Sequence, residues 1–248
     1  MTGVAKGTVL SLLGRVGLAC AEYQNITLKN LNCKRIQCDE IWAFCYAKEK
    51  NVPKKLQGKF GYGDMWTWTA LDADSKLIVS FLVGNRDAYT GRIFMQDLAS
   101  RLSNKVQLTT DGHRVYLEAV EYAFGGDIDY AQIVKIYGTE PQPQNTRYSP
   151  SKCLGTQQIK INGEPDLRHT STSYVERQNL TMRMSMRRFT RLTNAFSKKA
   201  DNLKHAVALH FMYYNFCRIH QTLRVTPAME AGVTNRMWAL EDILRLAN

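Results

Sequence analysis

The sequence predicts a mixed α/β sheet flanked by helices, with a short helical segment at the N-terminus. Three observations lead to this prediction. Between residues 35 and 137, apolar runs of strand length alternate with segments of helical periodicity. Two of these runs flank the turn sequence Asp72-Ala73-Asp74-Ser75, which indicates a hairpin. Helical patterns dominate from residue 173 onwards, and strands joined by a hairpin and by helical crossovers form a mixed sheet.

The individual elements follow from these patterns in chain order. Residues 1 to about 30 contain a helix and a linker, because Val4, Thr8, Leu12 and Val16 recur at a spacing of four. The other predicted elements are strands at 35–46, 65–71, 76–84, 105–111 and 128–137, and helices at 88–102, 116–124, 173 to about 188 and 201 to about 219.

These elements group into three parts. Residues 1–32 are the N-terminal helical segment with its linker, 33–225 the main α/β domain, and 226–248 a C-terminal helical tail. Within the main domain, residues 138–172 are rich in proline and glycine and predict a long irregular connection. Such a connection in a compact domain is usually functional or mobile.

The positive charge of the chain is concentrated in one region. The formal net charge is +11, and residues 147–224 hold 14 Lys or Arg against 4 Asp or Glu. A concentrated surplus of this kind predicts binding to a phosphate backbone, weakened by salt. A generally basic, solvated surface is the alternative interpretation.

Cysteine usage and hydropathy bear on the compartment. The six cysteines include no Cys-x-x-Cys pair, which favours a reducing cytosolic compartment and argues against a zinc site in this chain. The mildly apolar stretch from Val9 to Cys20 is interrupted by Arg15 and does not indicate an export signal. No stretch approaches the roughly 18 apolar residues that span a membrane. We therefore expect a cytoplasmic protein.

Three acidic residues stand at positions typical of a metal site. Asp39 lies inside the apolar run 35–46, where a charge is costly unless it is paired or holds a metal ion. Asp111 ends a second strand run before Gly112, which suits a site at the carboxyl edge of a sheet. Glu176 begins a strongly basic helix. Three carboxylates together offer the oxygen ligands that Mg²⁺ prefers.

Each carboxylate also has a structural alternative. A purely structural Asp39 needs a buried Lys or Arg partner. Its neighbour Glu40 points to the opposite strand face and is the weaker ligand candidate. Asp111 belongs to an Asp-Gly pair, a common turn dipeptide. Glu176 matches a capping box with Ser173.

The carboxylates lie in recognisable motifs. These are Asp39-Glu40-Ile41-Trp42, Thr110-Asp111-Gly112-His113 and Ser171-Thr172-Ser173-Tyr174-Val175-Glu176-Arg177-Gln178-Asn179. Together with residues 187–199 and 214–223 and the following Pro227, they resemble the bacterial insertion-sequence-one type transposases. These transposases belong to the DDE group and have an RNase H-like catalytic domain. The resemblance runs from about residue 2 to 245, with its motifs in order.

The resemblance implies an RNase H-like fold for residues 33–225 and a DDE triad of Asp39, Asp111 and Glu176. It implies that the triad binds two Mg²⁺ ions, with Mn²⁺ as a substitute, to stabilise the attacking and leaving oxygens of an in-line displacement. The implied function is transposition, by cleavage of DNA and transfer of a 3′-hydroxyl end. The implied partners are double-stranded DNA, as transposon ends and target, and at least one further copy of the chain. The implied location is the bacterial nucleoid.

Basic residues in the second half are the candidates for DNA contact. Arg183 and Arg187 fall nearly in line with Glu176 on a continuous helix, which suits a metal site beside a bound phosphate backbone. Arg218 and His220 either contact DNA or pack the last long helix against the sheet. The complete candidate set is Arg183, Arg187, Arg188, Arg191, Lys198, Lys199, Arg218 and His220.

One departure from the family leaves other functions open. The family typically begins with a cysteine-bearing zinc element and a helix-turn-helix, and residues 1–32 resemble only the last helix of that unit. We therefore expect poor recognition of transposon ends by this chain alone. The alternatives are a truncated DNA-binding regulator without catalysis and another RNase H-like nuclease, such as a structure-specific resolvase.

Overall fold

The computed structural model describes residues 3–137, 153–190 and 193–247 and contains a six-stranded sheet with helices on both faces. None of the helices in these ranges is long and apolar enough to cross a membrane. The strands are β1 (Arg35–Cys45), β2 (Gly63–Asp72), β3 (Ile78–Gly84), β4 (Gln107–Asp111), β5 (Asp129–Tyr137) and β6 (Cys153–Asn162). The helices are α1 (Lys6–Thr27), α2 (Ala88–Ala99), α3 (Val115–Phe124), α4 (Ser173–Ser185), α5 (Ala200–Met212), α6 (Pro227–Glu230) and α7 (Leu240–Arg245).

The sheet is mixed, as the sequence predicts, with the strand order β3-β2-β1-β4-β5-β6. β1 to β3 form an antiparallel meander. β4 runs parallel to both β1 and β5, and β6 pairs antiparallel with β5. This topology confirms the mixed α/β prediction and is consistent with an RNase H-like fold.

The central strand β1 divides its side chains between two hydrophobic clusters. Ile36 and Cys38 belong to the cluster that contains α2 and α3. Ile41, Ala43 and Cys45 belong to the cluster that contains α4 and part of α5. This alternation is the period of two expected of a strand that is buried on both faces.

The shortest strand, β4, leaves a gap in the sheet. It pairs with β1 only as far as Cys38 opposite Thr110, and it ends at Asp111. Its neighbours are longer, because β1 continues to Cys45 and β5 to Tyr137. Since the three strands are parallel, the gap lies at the carboxyl end of β4, between β1 and β5.

Strand β6 occupies part of the region 138–172, for which the sequence predicts an irregular connection. Its side chains are nearly all exposed, so no apolar alternation marks it in the sequence. Backbone pairing with β5 holds it at the sheet edge. Residues 163–172 are irregular apart from the 3-10 turn Leu167–His169. Residues 138–152 lie outside the described part of the chain.

Two of the helices that follow residue 172 end earlier than the sequence predicts. α4 ends at Ser185, because Met186 adopts an extended backbone conformation with φ −123° and ψ 102°. A separate 3-10 turn, Arg187–Phe189, follows. The predicted alignment of Arg187 with Glu176 along one continuous helix is therefore wrong. α5 ends at Met212 and continues as a short π-helical turn to Cys217.

The N-terminal helix α1 packs closely against α5. A Cβ atom built on Gly17 would lie 2.6 Å from the carbonyl oxygen of His205 and 2.7 Å from its Cα atom. Val16 and Cys20 are buried in the same cluster as α2 and α3. Core contacts thus join α1 to the sheet and its helices.

We expect Gly17→Ala to lower the free energy of unfolding by about 1–3 kcal/mol, because the new methyl group meets backbone atoms that cannot rotate away. Gly14 is the matched control on the same helix, since its Cβ would meet only the His205 Nδ1 atom at 3.8 Å. Gly14→Ala should raise stability by about 0.5–1 kcal/mol through helix propensity. Urea denaturation of both variants tests the packing, and a stabilising effect of Gly17→Ala would contradict it.

Candidate functional site

A cleft of about 510 Å³ opens where β4 ends. Its walls come from β1, the end of β4, β5 and one face of α4. The carboxyl ends of parallel strands commonly form such a crevice. The three predicted carboxylates, which are far apart in the sequence, all line it. The lining residues are Asp39, Glu40, Asp111, Gly112, Ile133, Val134, Lys135, Glu176, Asn179 and Arg183.

Two side chains of β1 hold α4 in place over the sheet. The buried Gln37 accepts hydrogen bonds at its Oε1 atom from the backbone N–H groups of Tyr174 (2.9 Å) and Val175 (3.2 Å). These N–H groups belong to the first helical turn and have no partner within the helix. On the same strand face, Asp39 accepts a hydrogen bond at Oδ2 from Asn179 Nδ2 at 2.8 Å. The start of α4 is thereby brought to the cleft.

Glu40 faces away from Asp39, as strand alternation predicts, yet its carboxylate belongs to the same acidic group. It accepts hydrogen bonds from Tyr116 Oη at 2.8 Å and from Arg86 Nε at 2.6 Å. One carboxylate oxygen each of Asp39, Glu40 and Asp111 lies within 4.8 Å of the others. Glu40 is therefore closer to the centre of the site than its strand face suggests. These two hydrogen bonds fix the position of the Glu40 carboxylate at the cleft.

Asp111 combines a local turn role with exposure to the cleft. Its Oδ1 atom accepts a hydrogen bond from the backbone N–H of His113 at 3.0 Å. Its Oδ2 atom lies 4.0 Å from Arg86 Nη2, and its side chain is 34% exposed. The turn alternative therefore accounts for one of the two carboxylate oxygens.

Glu176 lines the cleft without a capping role. The N-cap residue of α4 is Thr172, and its side chain makes no capping hydrogen bond to the helix backbone. Instead, Glu176 Oε1 accepts hydrogen bonds from Thr172 Oγ1 at 2.6 Å and from Lys135 Nζ at 2.7 Å. The capping box with Ser173 is therefore not formed. Lys135, on β5, neutralises Glu176 at the opposite wall from Asp39.

The electrostatics of the cleft favour a cation. Burial, followed by the charges of Glu40 and Asp111, raises the pKa of Asp39 from 3.8 to about 7. Asn179 is 5% exposed, and no described residue gives its Oδ1 atom a hydrogen bond. A buried oxygen without a donor, next to crowded carboxylates, suits a hard divalent cation or its bound water. The donor set thus fits Mg²⁺ or Mn²⁺.

Five of the eight basic candidates lie at the cleft or on the surface next to it. Arg183 lines the cleft itself. Arg187 and Arg188 lie on the adjacent surface beyond α4, where Arg188 donates a hydrogen bond to Ser197 Oγ at 2.9 Å. Lys198 and Lys199 are exposed on the same surface.

Two other candidates lie away from the cleft. Arg218 and His220 line a separate cavity, on the other side of α4. Arg191 lies outside the described residues.

Several site residues carry weak signals or none in the sequence. Asn179 stands three positions after Glu176, so helical spacing places the two on one face. Arg86 follows the predicted hairpin directly and gives no sign that it bridges Glu40 and Asp111. Lys135 is a single charge in a strand, and its pairing with Glu176 depends on a contact between distant segments.

The chain matches no model of a known protein family and shows no significant match to a curated protein.

Proposed function

We propose that this chain is the catalytic part of a transposase that cleaves DNA strands and transfers a 3′-hydroxyl end in a reaction that depends on divalent cations. The observation that carries the proposal is the meeting of Asp39, Asp111 and Glu176 in one cleft at the carboxyl end of β4. The mixed sheet with flanking helices suits the RNase H-like domain that the motifs imply. Arg183 at the same cleft gives a positive charge for a phosphate group.

Each residue has a distinct part in this proposal. Asp39, Asp111 and Glu176 would hold the cations, and Asn179 orients Asp39 through its 2.8 Å hydrogen bond. When bound, divalent ions activate the attacking oxygen and offset charge on the leaving oxygen of a phosphodiester. Lys135 holds Glu176 at the wall of the cleft through their ion pair of 2.7 Å.

The substrate class follows from the charge around the cleft. Arg187, Lys198 and Lys199 extend the positive surface beyond Arg183 along the side of α4. Phosphate contacts of this type position a duplex without reading its sequence. A double-stranded DNA substrate, held across the cleft by its backbone, accords with this distribution, and a synaptic complex of two DNA ends requires at least a dimer.

Nicking of supercoiled plasmid in Mn²⁺ tests the proposal. We expect the wild-type chain to nick and Glu176→Gln to lose at least about a hundredfold in rate, because an amide cannot replace a carboxylate in charge. Glu164→Gln is the matched control, since Glu164 pairs with Lys160 and its side chain is 90% exposed. Nicking by Glu176→Gln at the wild-type rate would remove Glu176 from the site. Joining of a 3′ end to a target would separate a transposase from a resolvase.

A DNA-binding protein without catalysis is the second candidate. The ion pair of 2.7 Å between Lys135 and Glu176 favours it, because that pair occupies the carboxylate that the proposed site requires. Binding of DNA without nicking, by both the wild type and Lys135→Met, would support this candidate over the enzyme.

A further inference from the structure

A second cavity, of about 430 Å³, lies beside α4 on the side away from the carboxylate cleft. α4 turns Glu176, Asn179 and Arg183 towards the cleft, whereas Gln178 and Thr181 line this second cavity. Its other walls come from the β2–β3 turn and from the segment that follows α5. We call it the basic pocket, after the four lining residues Lys76, Arg177, Arg218 and His220.

The charges of the basic pocket are not balanced by acids in its wall. Among the residues that the structure describes, no Asp or Glu lines the pocket. The Nζ atom of Lys76 lies 3.5 Å from the centre of the Tyr174 ring. Burial, together with the positive charges of Lys76 and Arg218, lowers the pKa of His220. Lys76 and Arg218 thus disfavour the protonated form of His220, and a bound anion would offset their charge.

A buried hydrogen-bond donor also lacks a partner at this pocket. Gln178 is 3% exposed, and its Nε2 atom has no hydrogen-bond partner among the described residues. Buried polar atoms in folded proteins are nearly always paired, so an unpaired donor points to a ligand or water. The next residue, Asn179, leaves an unpaired acceptor on the opposite side of α4. The helix thus has an unpaired acceptor in a residue that lines the acidic cleft and an unpaired donor in a residue that lines the basic pocket.

We propose that the basic pocket binds a phosphodiester group of a nucleic-acid backbone. Arg177 and Arg218 are exposed and supply the charge, and Gln178 supplies the buried donor. Tyr174 and Ile219, which are 46% and 53% exposed, give an apolar rim for the sugar or base next to the phosphate. A free phosphate ion is also an anion, but it has no sugar or base to contact this rim. The pocket adds a DNA contact to the proposed function and does not depend on catalysis.

Binding of fluorescein-labelled single- and double-stranded DNA, measured by anisotropy in EDTA, tests this site. We expect Arg177→Ala combined with Arg218→Ala to weaken binding about tenfold or more and to flatten the slope of log K against log salt by about one, the contribution of one phosphate contact. The control is Lys54→Ala combined with Lys55→Ala, which removes two exposed charges that line neither cavity. Gln178→Met should weaken binding severalfold with an unchanged slope, because it removes a donor and no charge.

The outcomes are separable. Unchanged affinity and slope in the Arg177 and Arg218 double variant, with a wild-type melting temperature, would overturn the proposal. Stabilisation by inorganic phosphate that the double variant loses, with DNA binding intact, would overturn a nucleic acid as the ligand. DNA binding that needs the pocket in a protein that never nicks in Mn²⁺ would support this inference and refute the proposed function.

Discussion

Asp39→Asn is expected to abolish cleavage, by at least about a thousandfold, and to make the metal-free protein more stable. The stability change follows from the pKa of Asp39, which burial and the charges of Glu40 and Asp111 raise from 3.8 to about 7. Between these values the folded chain binds a proton that the unfolded chain has lost. The contribution of Asp39 to the free energy of unfolding therefore falls as pH rises from 3.8 to about 7 and stays unfavourable above it.

Thermal unfolding at pH 8 in EDTA measures this effect. The amide carries no charge and keeps a hydrogen bond to Asn179, so we expect a gain of about 1–3 kcal/mol. Asp97→Asn is the control, and we expect it to lower stability. Asp97 pairs at 2.7 Å with the nearly buried Arg101, and the variant loses this pair. A loss of stability in Asp39→Asn would identify Asp39 as a structural carboxylate and argue against the cation site.

Arg86→Ala is expected to destabilise the fold by about 2 kcal/mol, because it leaves the buried charge of Glu40 without its main partner. Arg86 donates to Glu40 at 2.6 Å, and the Glu40 side chain is 1% exposed. The guanidinium also stacks 4.7 Å from the centre of the Trp66 ring, a contact that the variant loses. Chemical denaturation compares the variant with the wild type.

Two controls isolate the role of this ion pair. Arg92→Ala breaks an exposed pair with Glu118 and should change stability by less than about 0.5 kcal/mol. Glu40→Gln combined with Arg86→Ala should recover part of the loss, because the unpaired charge is gone. Equal losses of stability in Arg86→Ala and Arg92→Ala would show that the Glu40 carboxylate needs no partner and that the ion pair does not hold the acidic group in place.

Local sequence patterns predict most strands of the sheet, and they single out the three carboxylates as candidates for a site. The run 35–46 is apolar and of strand length, so it predicts the strand β1, and the two-residue period of a strand predicts the face on which Asp39 lies. The dipeptide Asp111-Gly112 marks the end of β4 in the sequence. The presence of these carboxylates in one cleft depends on the parallel pairing of β1, β4 and β5, which local patterns indicate only through the order of strands and helices.

The features that sequence could not reveal depend on distant contacts or on backbone pairing. β6 forms with exposed side chains, so hydrophobic periodicity gives no signal. The Lys135–Glu176 pair joins residues from β5 and α4 that meet only in the folded chain. Glu40 points to the other strand face, yet the early end of β4 brings its carboxylate near that of Asp111.

The proposed function requires the carboxylates of the cleft to bind a divalent cation together. Titration of Mn²⁺ by isothermal calorimetry, with the wild type beside Asp111→Asn, measures this binding. Asp127→Asn is the control, because Asp127 is exposed and lies outside the cleft. We expect Asp111→Asn to bind Mn²⁺ at least about tenfold more weakly than the wild type and the control. Equal Mn²⁺ affinity in all three proteins, or no binding in any of them, would contradict the proposed function.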